Sequence, residues 1–284
     1  MSRLHSYMTT STARATGISN QDSTCSTSPL TEPVSIAFPH RIFVPEHYES
    51  GYAYPLLVWL HSDHSSEFEI DQVMPALSVR NYAAVALRGN RLSDRSTRLF
   101  RWGSTSTDYA LNEECIFHAI EELCEAMSID ASRVFLGGFG KGATLAQWVG
   151  LRNPGRIAGV IACNGPFPTN KRALTQWKDA RSLPVLAMQS ADSNRFGVDQ
   201  LIGMMKTAHL AGLNYRLMRF SSKSQQTAPG ALLESQRNDD GEYEGSLEVE
   251  MLKAANRFMM GIVTGTAISL GCEPQPLDHV PWPQ

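Results

Sequence analysis

The sequence predicts a single α/β domain built on a doubly wound, mostly parallel sheet. Short apolar runs alternate along the chain with longer segments of helical periodicity, and this order is typical of α/β proteins. Two of these runs, residues 55–60 (PLLVWL) and 82–87 (YAAVAL), are continuously apolar, as expected for central strands that are covered on both faces.

The composition is that of an ordinary globular protein and argues against several classes of function. The net charge is −3 and no basic run stands out, so nucleic acid is not an expected partner. No apolar run reaches the ~20 residues that a membrane span needs. The five dispersed cysteines and the lack of a secretory signal favour a reducing, cytoplasmic location without a disulfide framework. Because no CxxC pair exists, we expect no structural zinc site. We also expect no cofactor.

The first half of the chain is expected to hold a tail, three strands and two helices. Residues 1–31 are rich in Ser and Thr and are predicted to be disordered, so that the domain covers residues 32–265. The expected elements are a strand at 34–45, a strand at 55–60, a helix at 69–80, a strand at 82–87, a long polar loop at 88–107 and an amphipathic helix at 108–127.

Strand and helix signals continue to alternate in the second half. The expected elements are a strand at 134–136, a helix that ends at Asn153-Pro154, a strand at 157–163, a strand at 184–188, a helix at 198–205, a strand at 214–220 and a final helix at 246–263. A polar insertion at 227–245 precedes that final helix. The Pro-containing tail, residues 266–284, is predicted to be irregular.

A strand–turn–helix signal at residues 129–154 lies at the centre of the chain. An apolar run at 134–136 leads into a cluster of glycines, and a helix follows. Residues 138–142 read Gly-Phe-Gly-Lys-Gly, which fits the G-x-S-x-G pattern of a nucleophile elbow at every position except the middle one. Gly140 stands where that pattern has its serine.

This segment resembles the elbow of the α/β-hydrolase family, in its branch of phospholipase/carboxylesterase and polyhydroxybutyrate-depolymerase-like esterases. The likeness is carried by Asp130, Arg133 and Val134 before the elbow, by Asn153-Pro154 after its helix, and by the run GVIACNG at 159–165. The resemblance implies the α/β-hydrolase fold. Activity depends on the residues of the site.

The resemblance also implies where a catalytic triad would stand. The family needs a nucleophile on the elbow, then a carboxylate, then a histidine base, in that order along the chain. Gly140 has no side chain that could attack a substrate. Asp192, after the strand at 184–188, matches the carboxylate. The place of the base holds Gln225, whose amide cannot accept and return a proton near neutral pH.

Other residues are candidates for the rim of a cleft. The turn His61-Ser62-Asp63-His64 stands in the place of the family's His-Gly-Gly turn, so Ser62 and Lys141 are oxyanion-hole-like positions. His61 and His64 are expected to be loop histidines rather than metal ligands, because no third ligand is evident. Trp102 either lines a pocket or pins the long polar loop.

Cys163 and Lys141 each allow two interpretations. Cys163 is the best substitute nucleophile, but its sequence neighbours offer no base or cation to lower its pKa, so a buried structural thiol is expected. Lys141 either is a solvated surface lysine or faces the cleft and favours anionic ligands together with the start of a helix. The surface interpretation is preferred because charged side chains are seldom buried unpaired.

These observations predict an esterase-like protein that has lost its serine nucleophile and its histidine base. Such a pseudo-hydrolase would not be an enzyme and would have a binding or structural role, with a small acyl or apolar molecule as the candidate ligand of its cleft. The alternative is an active carboxylesterase- or thioesterase-type hydrolase that uses a displaced nucleophile.

Overall fold

The computed structural model describes residues 38–168, 177–190, 198–220 and 249–266. Strands and α-helices alternate through most of this part of the chain. The strands are β1 (His40–Phe43), β2 (Tyr54–Leu60), β3 (Ala83–Leu87), β4 (Arg91–Leu92), β5 (Phe100–Arg101), β6 (Ile129–Phe139), β7 (Gly159–Cys163), β8 (Val185–Ser190) and β9 (Tyr215–Phe220). The helices are α1 (Ile70–Leu77), α2 (Ser106–Ala126), α3 (Lys141–Arg152), α4 (Trp177–Ala180), α5 (Val198–Leu210) and α6 (Val249–Thr264).

Seven of these strands form one sheet, in the order β1-β3-β2-β6-β7-β8-β9. β1 runs antiparallel to β3, and all other neighbours in the sheet are parallel. The register places Leu60 opposite Gly138, and Phe139 opposite Cys163. The carboxyl ends of β2, β6 and β7 therefore meet at one edge of the sheet, where ligands bind in open α/β sheets.

Helices cover both faces of the sheet. Alternate residues of β2 point to opposite sides, so Val58 packs in the cluster that contains residues of α2, α3 and α5, and Trp59 packs in the cluster that contains residues of α1 and α6. All seven residues of β2 are buried. Each fully buried large apolar side chain contributes about 1.5–3 kcal/mol. The predicted doubly wound, mostly parallel sheet in a single domain is confirmed.

Several element predictions differ from the structure; for example, α5 continues to Leu210, and α4 was not predicted. The predicted strand at 34–45 is a strand only at His40–Phe43 among its described residues, because Pro39 and Pro45 cannot donate to the sheet at its ends. β6 begins at Ile129, five residues before the predicted apolar run. The predicted loop at 88–107 contains a short antiparallel hairpin of β4 and β5. The predictions for residues 1–31, 227–245 and 267–284 lie outside the described residues.

Candidate functional site

The elbow is a sharp turn between the end of β6 and the start of α3. Gly140 has φ of 56° and ψ of −119°, outside the regions that residues with a side chain ordinarily adopt. Its N–H donates to the backbone oxygen of Cys163 at 2.9 Å, and its own oxygen accepts from the N–H of Thr144 at 3.2 Å. These bonds fix the turn, so the residue at position 140 is presented at the carboxyl edge of the sheet.

The two glycines that flank Gly140 are required by close packing. A Cβ at Gly138 would lie 2.6 Å from the backbone oxygen of Leu60, and a Cβ at Gly142 would lie 2.0 Å from the same atom. Both distances are too short for a carbon–oxygen contact, so only glycine lets the elbow pack on the end of β2. This requirement concerns the backbone alone and does not depend on which residue stands at position 140.

In the turn after β2, the polar groups of Ser62 are hydrogen-bonded within the protein. The backbone N–H and the hydroxyl of Ser62 both donate to Oε2 of Glu69 at 3.0 Å. The indole N–H of Trp59 donates to the other oxygen of that carboxylate at 2.8 Å. An oxyanion hole needs N–H groups that point at the substrate oxygen. Ser62 lies at the predicted edge, but the N–H that it would contribute is already bonded to Glu69.

His61 is a fully buried member of the same turn. Its Nε2 accepts from the N–H of Gly89 at 2.8 Å, so the proton of the neutral ring is on Nδ1, which donates to the backbone oxygen of Ser62 at 2.6 Å. Burial lowers the pKa of His61 and outweighs the opposing effect of nearby carboxylates, chiefly Glu69. Because both ring nitrogens are occupied, this histidine joins two loops and is free neither to bind a metal ion nor to act as a base.

Trp102 anchors the loop at residues 88–107 to the turn that contains His61. Its ring lies 5.0 Å from the ring of His61, and its indole N–H donates to the backbone oxygen of His61 at 2.8 Å. The side chain is buried, with 4% exposed. Of the two interpretations that the sequence allows for Trp102, the structure supports anchoring of the loop.

Lys141 and Asp63 form an ion pair beside the elbow. The ammonium of Lys141 lies 3.7 Å from Oδ2 of Asp63, and about half of the lysine side chain is exposed. The other oxygen of Asp63 is buried and has no hydrogen-bond partner among the described residues. Lys141 is therefore a largely solvated lysine, and its charge is opposed by a carboxylate at the position that follows Ser62.

Cys163 is buried at the end of β7 and supports the elbow through its backbone oxygen, which accepts from Gly140. Its thiol is not in a disulfide, and neither are those of Cys115 and Cys124. In the sheet, Cys163 pairs with Phe139, the residue that precedes Gly140 at the elbow.

Comparison with known proteins agrees with this geometry. The phospholipase/carboxylesterase family matches residues 106–196, which include α2, the elbow, α3 and β7. A carboxylesterase from Bacillus cereus superposes with a TM-score of 0.56 at 12% identity, over 80% of this chain and 96% of the other. The esterase PE8 gives a TM-score of 0.53 at 18% identity, over 80% and 98%. The chain has the α/β-hydrolase fold.

Two further comparisons mark the limits of this likeness. The chain spans about half (51%) of the length of a thermostable esterase, with a TM-score of 0.47 and 17% identity over 65% of this chain. No curated protein matches the sequence significantly. At these identities the structural likeness establishes the fold, and activity has to be argued from the residues of the site.

Two of the three triad positions implied by the α/β-hydrolase resemblance lie outside the described residues. Asp192 follows β8, which ends at Ser190, and Gln225 follows β9, which ends at Phe220. The structure describes the elbow position, where Gly140 provides the backbone turn of a nucleophile elbow without a nucleophile.

A contact between a histidine and a serine at this edge of the α/β-hydrolase fold was not predicted from the sequence. Nδ1 of His64 lies 2.6 Å from the hydroxyl oxygen of Ser93. His64 follows β2 and has φ of 59°. Ser93 follows β4 and is buried, with 8% of its surface exposed. The backbone N–H of Arg95 also donates to the Ser93 hydroxyl, at 3.1 Å. The two residues are 29 positions apart, so no local signal in the sequence could have paired them.

Metal binding and membrane insertion find no support in the described part of the chain. No group of three or more His, Cys, Asp or Glu side chains there is arranged to hold a metal ion. Among the described helices, none is both long enough and apolar enough to cross a bilayer.

Proposed function

We propose that this α/β-hydrolase-fold protein is catalytically silent at its elbow and has a binding or structural role. The observation that carries the proposal is Gly140: the turn has the backbone of a nucleophile elbow, and the residue at its tip has no side chain. In a serine protease, removal of the nucleophile alone lowers turnover by roughly a millionfold. The glutamine at the matching base position, Gln225, would compound that loss.

The electrostatics of the rim support the same proposal. Ester hydrolysis develops negative charge on the substrate oxygen, and N–H donors must stabilise it. Here the Ser62 N–H is bonded to Glu69, and Asp63 adds a carboxylate beside Lys141. Lys141 balances the charge of Asp63, so it is the Glu69 carboxylate on the Ser62 N–H that would oppose an oxyanion rather than stabilise it. A small acyl or apolar molecule carries no developing charge, and it is the ligand that we propose for this edge of the sheet.

The proposal places the protein in the cytoplasm. None of the three described cysteines, Cys115, Cys124 and Cys163, is in a disulfide. Burial raises the pKa of Cys115 to about 12, which makes that thiol inert as a nucleophile. Dispersed, unpaired cysteines are typical of a reducing compartment.

The second candidate is a carboxylic-ester or thioester hydrolase with a displaced nucleophile, and the His64–Ser93 contact favours it. In that reaction the Ser93 oxygen would attack the acyl carbon, and its proton would pass to Nδ1 of His64 and then to the leaving alcohol or thiol. Water would release the acid in a second step. Two features count against this chemistry. Ser93 is buried, and among the described residues no carboxylate is hydrogen-bonded to His64 to orient its ring.

A fluorophosphonate probe separates the two candidates. The folded protein and its Ser93→Ala variant are treated with the probe, and the intact mass is measured for each. The silent elbow predicts that neither protein gains the mass of the probe beyond the level of an unrelated inert protein. Labelling of the wild type that Ser93→Ala abolishes would establish the displaced nucleophile. The Ser132→Ala variant, whose hydroxyl contacts Asp130 far from this edge, is the matched control.

A further inference from the structure

A cavity of about 260 Å³ lies at the edge of the sheet opposite to the elbow, where β2 and β3 begin. One wall comes from the segments that precede these strands, and the other comes from the last turns of α6. The lining residues are Glu49, Tyr52, Tyr54, Pro55, Arg80, Asn81, Met260 and Val263. Because it lies at the far ends of the strands, this cavity is separate from the candidate site described above.

Aromatic rings form one wall of the cavity. Tyr48 stacks on Tyr54 with centroids 5.3 Å apart, and Tyr52 meets Tyr54 edge-on at 4.7 Å. The hydroxyls of Tyr48 and Tyr54 accept from the backbone N–H groups of Ser128 and Glu49, at 2.7 and 3.2 Å. This tyrosine cluster (Tyr48, Tyr52 and Tyr54) is thereby held in place, while Tyr52 is 48% exposed. Tyr54 is buried with 6% exposed, so Tyr52 is the ring of the cluster that is open to a partner. Exposed, firmly held aromatic rings are the surfaces on which proline-rich segments dock, and such segments lose little entropy on binding.

A proline-rich segment follows α6 in the sequence of the same chain. Met260 and Val263 line the cavity, α6 ends at Thr264, and the sequence continues through residues 267–284. Within it, residues 273–283 read EPQPLDHVPWP: four prolines, two acidic residues, a tryptophan and no Lys or Arg. An extended chain covers about 3.1 Å per residue, so the residues between α6 and position 273 are enough to turn back to the cavity.

We propose that residues 273–283 dock in this cavity of their own chain, with proline and tryptophan rings against Tyr52, the exposed ring of the tyrosine cluster. The tether makes weak binding sufficient, because a short linker gives an effective concentration on the order of millimolar. Arg80 is the one cation of the lining; its side chain is 67% exposed and its only close carboxylate among the described residues is Glu46, at 3.8 Å. It can therefore pair with Glu273 or Asp278, while Glu49 lies on the same rim. This inference goes beyond the proposed function and does not rest on it.

The test follows Trp282 in the full chain by ¹⁹F NMR after incorporation of 5-fluorotryptophan. Trp282→Phe identifies its signal among the five tryptophans, and a synthetic peptide of residues 272–284 gives the position of an undocked ring. Docking predicts a Trp282 signal displaced from that of the peptide. Tyr52→Ala and Arg80→Glu should each remove at least half of the displacement, and neither residue is buried enough for its loss to unfold the domain.

Phe68→Ala is the matched control, because Phe68 is also 48% exposed but belongs to the turn after β2, at the other edge of the sheet. It should leave the Trp282 signal unchanged. A wild-type signal that coincides with that of the peptide would refute docking. So would a displaced signal that neither Tyr52→Ala nor Arg80→Glu moves, since the segment would then lie elsewhere, and the cavity would be left for a small molecule or another protein.

Discussion

Replacement of Gly140 by alanine or serine should destabilise the protein, although it restores a side chain at the tip of the elbow. At φ of 56° and ψ of −119° the backbone lies outside the regions that residues with a Cβ ordinarily adopt, and such conformations cost about 1–3 kcal/mol for residues other than glycine. Loss of glycine also stiffens the unfolded chain, which offsets about 0.4–1 kcal/mol. With the midpoints of these two ranges, about 2 and 0.7 kcal/mol, the net loss of unfolding free energy should be about 1–2 kcal/mol.

Urea denaturation and thermal melts measure this loss. For a domain of this size, each kcal/mol lowers Tm by about 2–4 °C, so a fall of ~2–8 °C is expected. Gly203→Ala is the matched control: Gly203 lies in α5, an added Cβ there meets nothing within 4 Å, and alanine should raise stability by about 0.5–1 kcal/mol. A Gly140→Ala protein that melts at or above the wild-type temperature would show that the turn carries no strain.

Two further predictions concern the buried polar contacts around the long polar loop. Burial alone would raise the pKa of Glu67, but the hydrogen bonds and charge of Arg88 hold it below the usual value. Arg88→Met should therefore cost about 2–3 kcal/mol in urea unfolding, somewhat less than for fully buried pairs because Arg88 is 32% exposed. Adding Glu67→Gln should recover part of that loss, and a double variant no more stable than Arg88→Met would contradict the pairing. The pKa of Asp108 is lowered from 3.8 to about 2, chiefly by hydrogen bonds from Thr105. Burial opposes this shift, and hydrogen bonds from Arg91 and Asn90 add to it. Because the pKa of Asp108 is lower in the folded than in the unfolded protein, this stabilisation is present above pH ~4 and is lost as the pH falls towards 2. Asp108→Asn should therefore flatten the pH dependence of the melting temperature between these values. An unchanged slope would contradict the stabilising role of the Asp108 carboxylate.

The regular elements were predictable because each follows from a local pattern. Residues 55–60 are apolar throughout, and the structure buries them in β2 between two layers of helices. The glycine cluster at 138–142 likewise located the elbow, since a strand, a tight turn and a helix leave a signal within a dozen residues. The hairpin of β4 and β5 left none, because two-residue strands are too short for alternation to appear.

The contacts of the candidate site were not predictable in the same way. The sequence placed His61 and Ser62 at the carboxyl edge, but it could not tell that Gly89 and Glu69 occupy their polar atoms. Those partners lie on other turns of the fold and are selected by packing. The His64–Ser93 contact has the same origin. Positions along the chain thus identify which residues reach an edge, whereas their protonation and bonding depend on neighbours that are distant in sequence.

The packing of Gly138 and Gly142 against Leu60 bears on how such motifs are interpreted in other proteins. The outer glycines of the pentapeptide satisfy a steric demand of the scaffold, which persists whether or not any chemistry occurs above it. A pattern search that rewards those two positions therefore detects the architecture, and it will return inert chains together with enzymes. Only the middle letter carries information about reactivity, so in a survey of sequences it should be scored on its own.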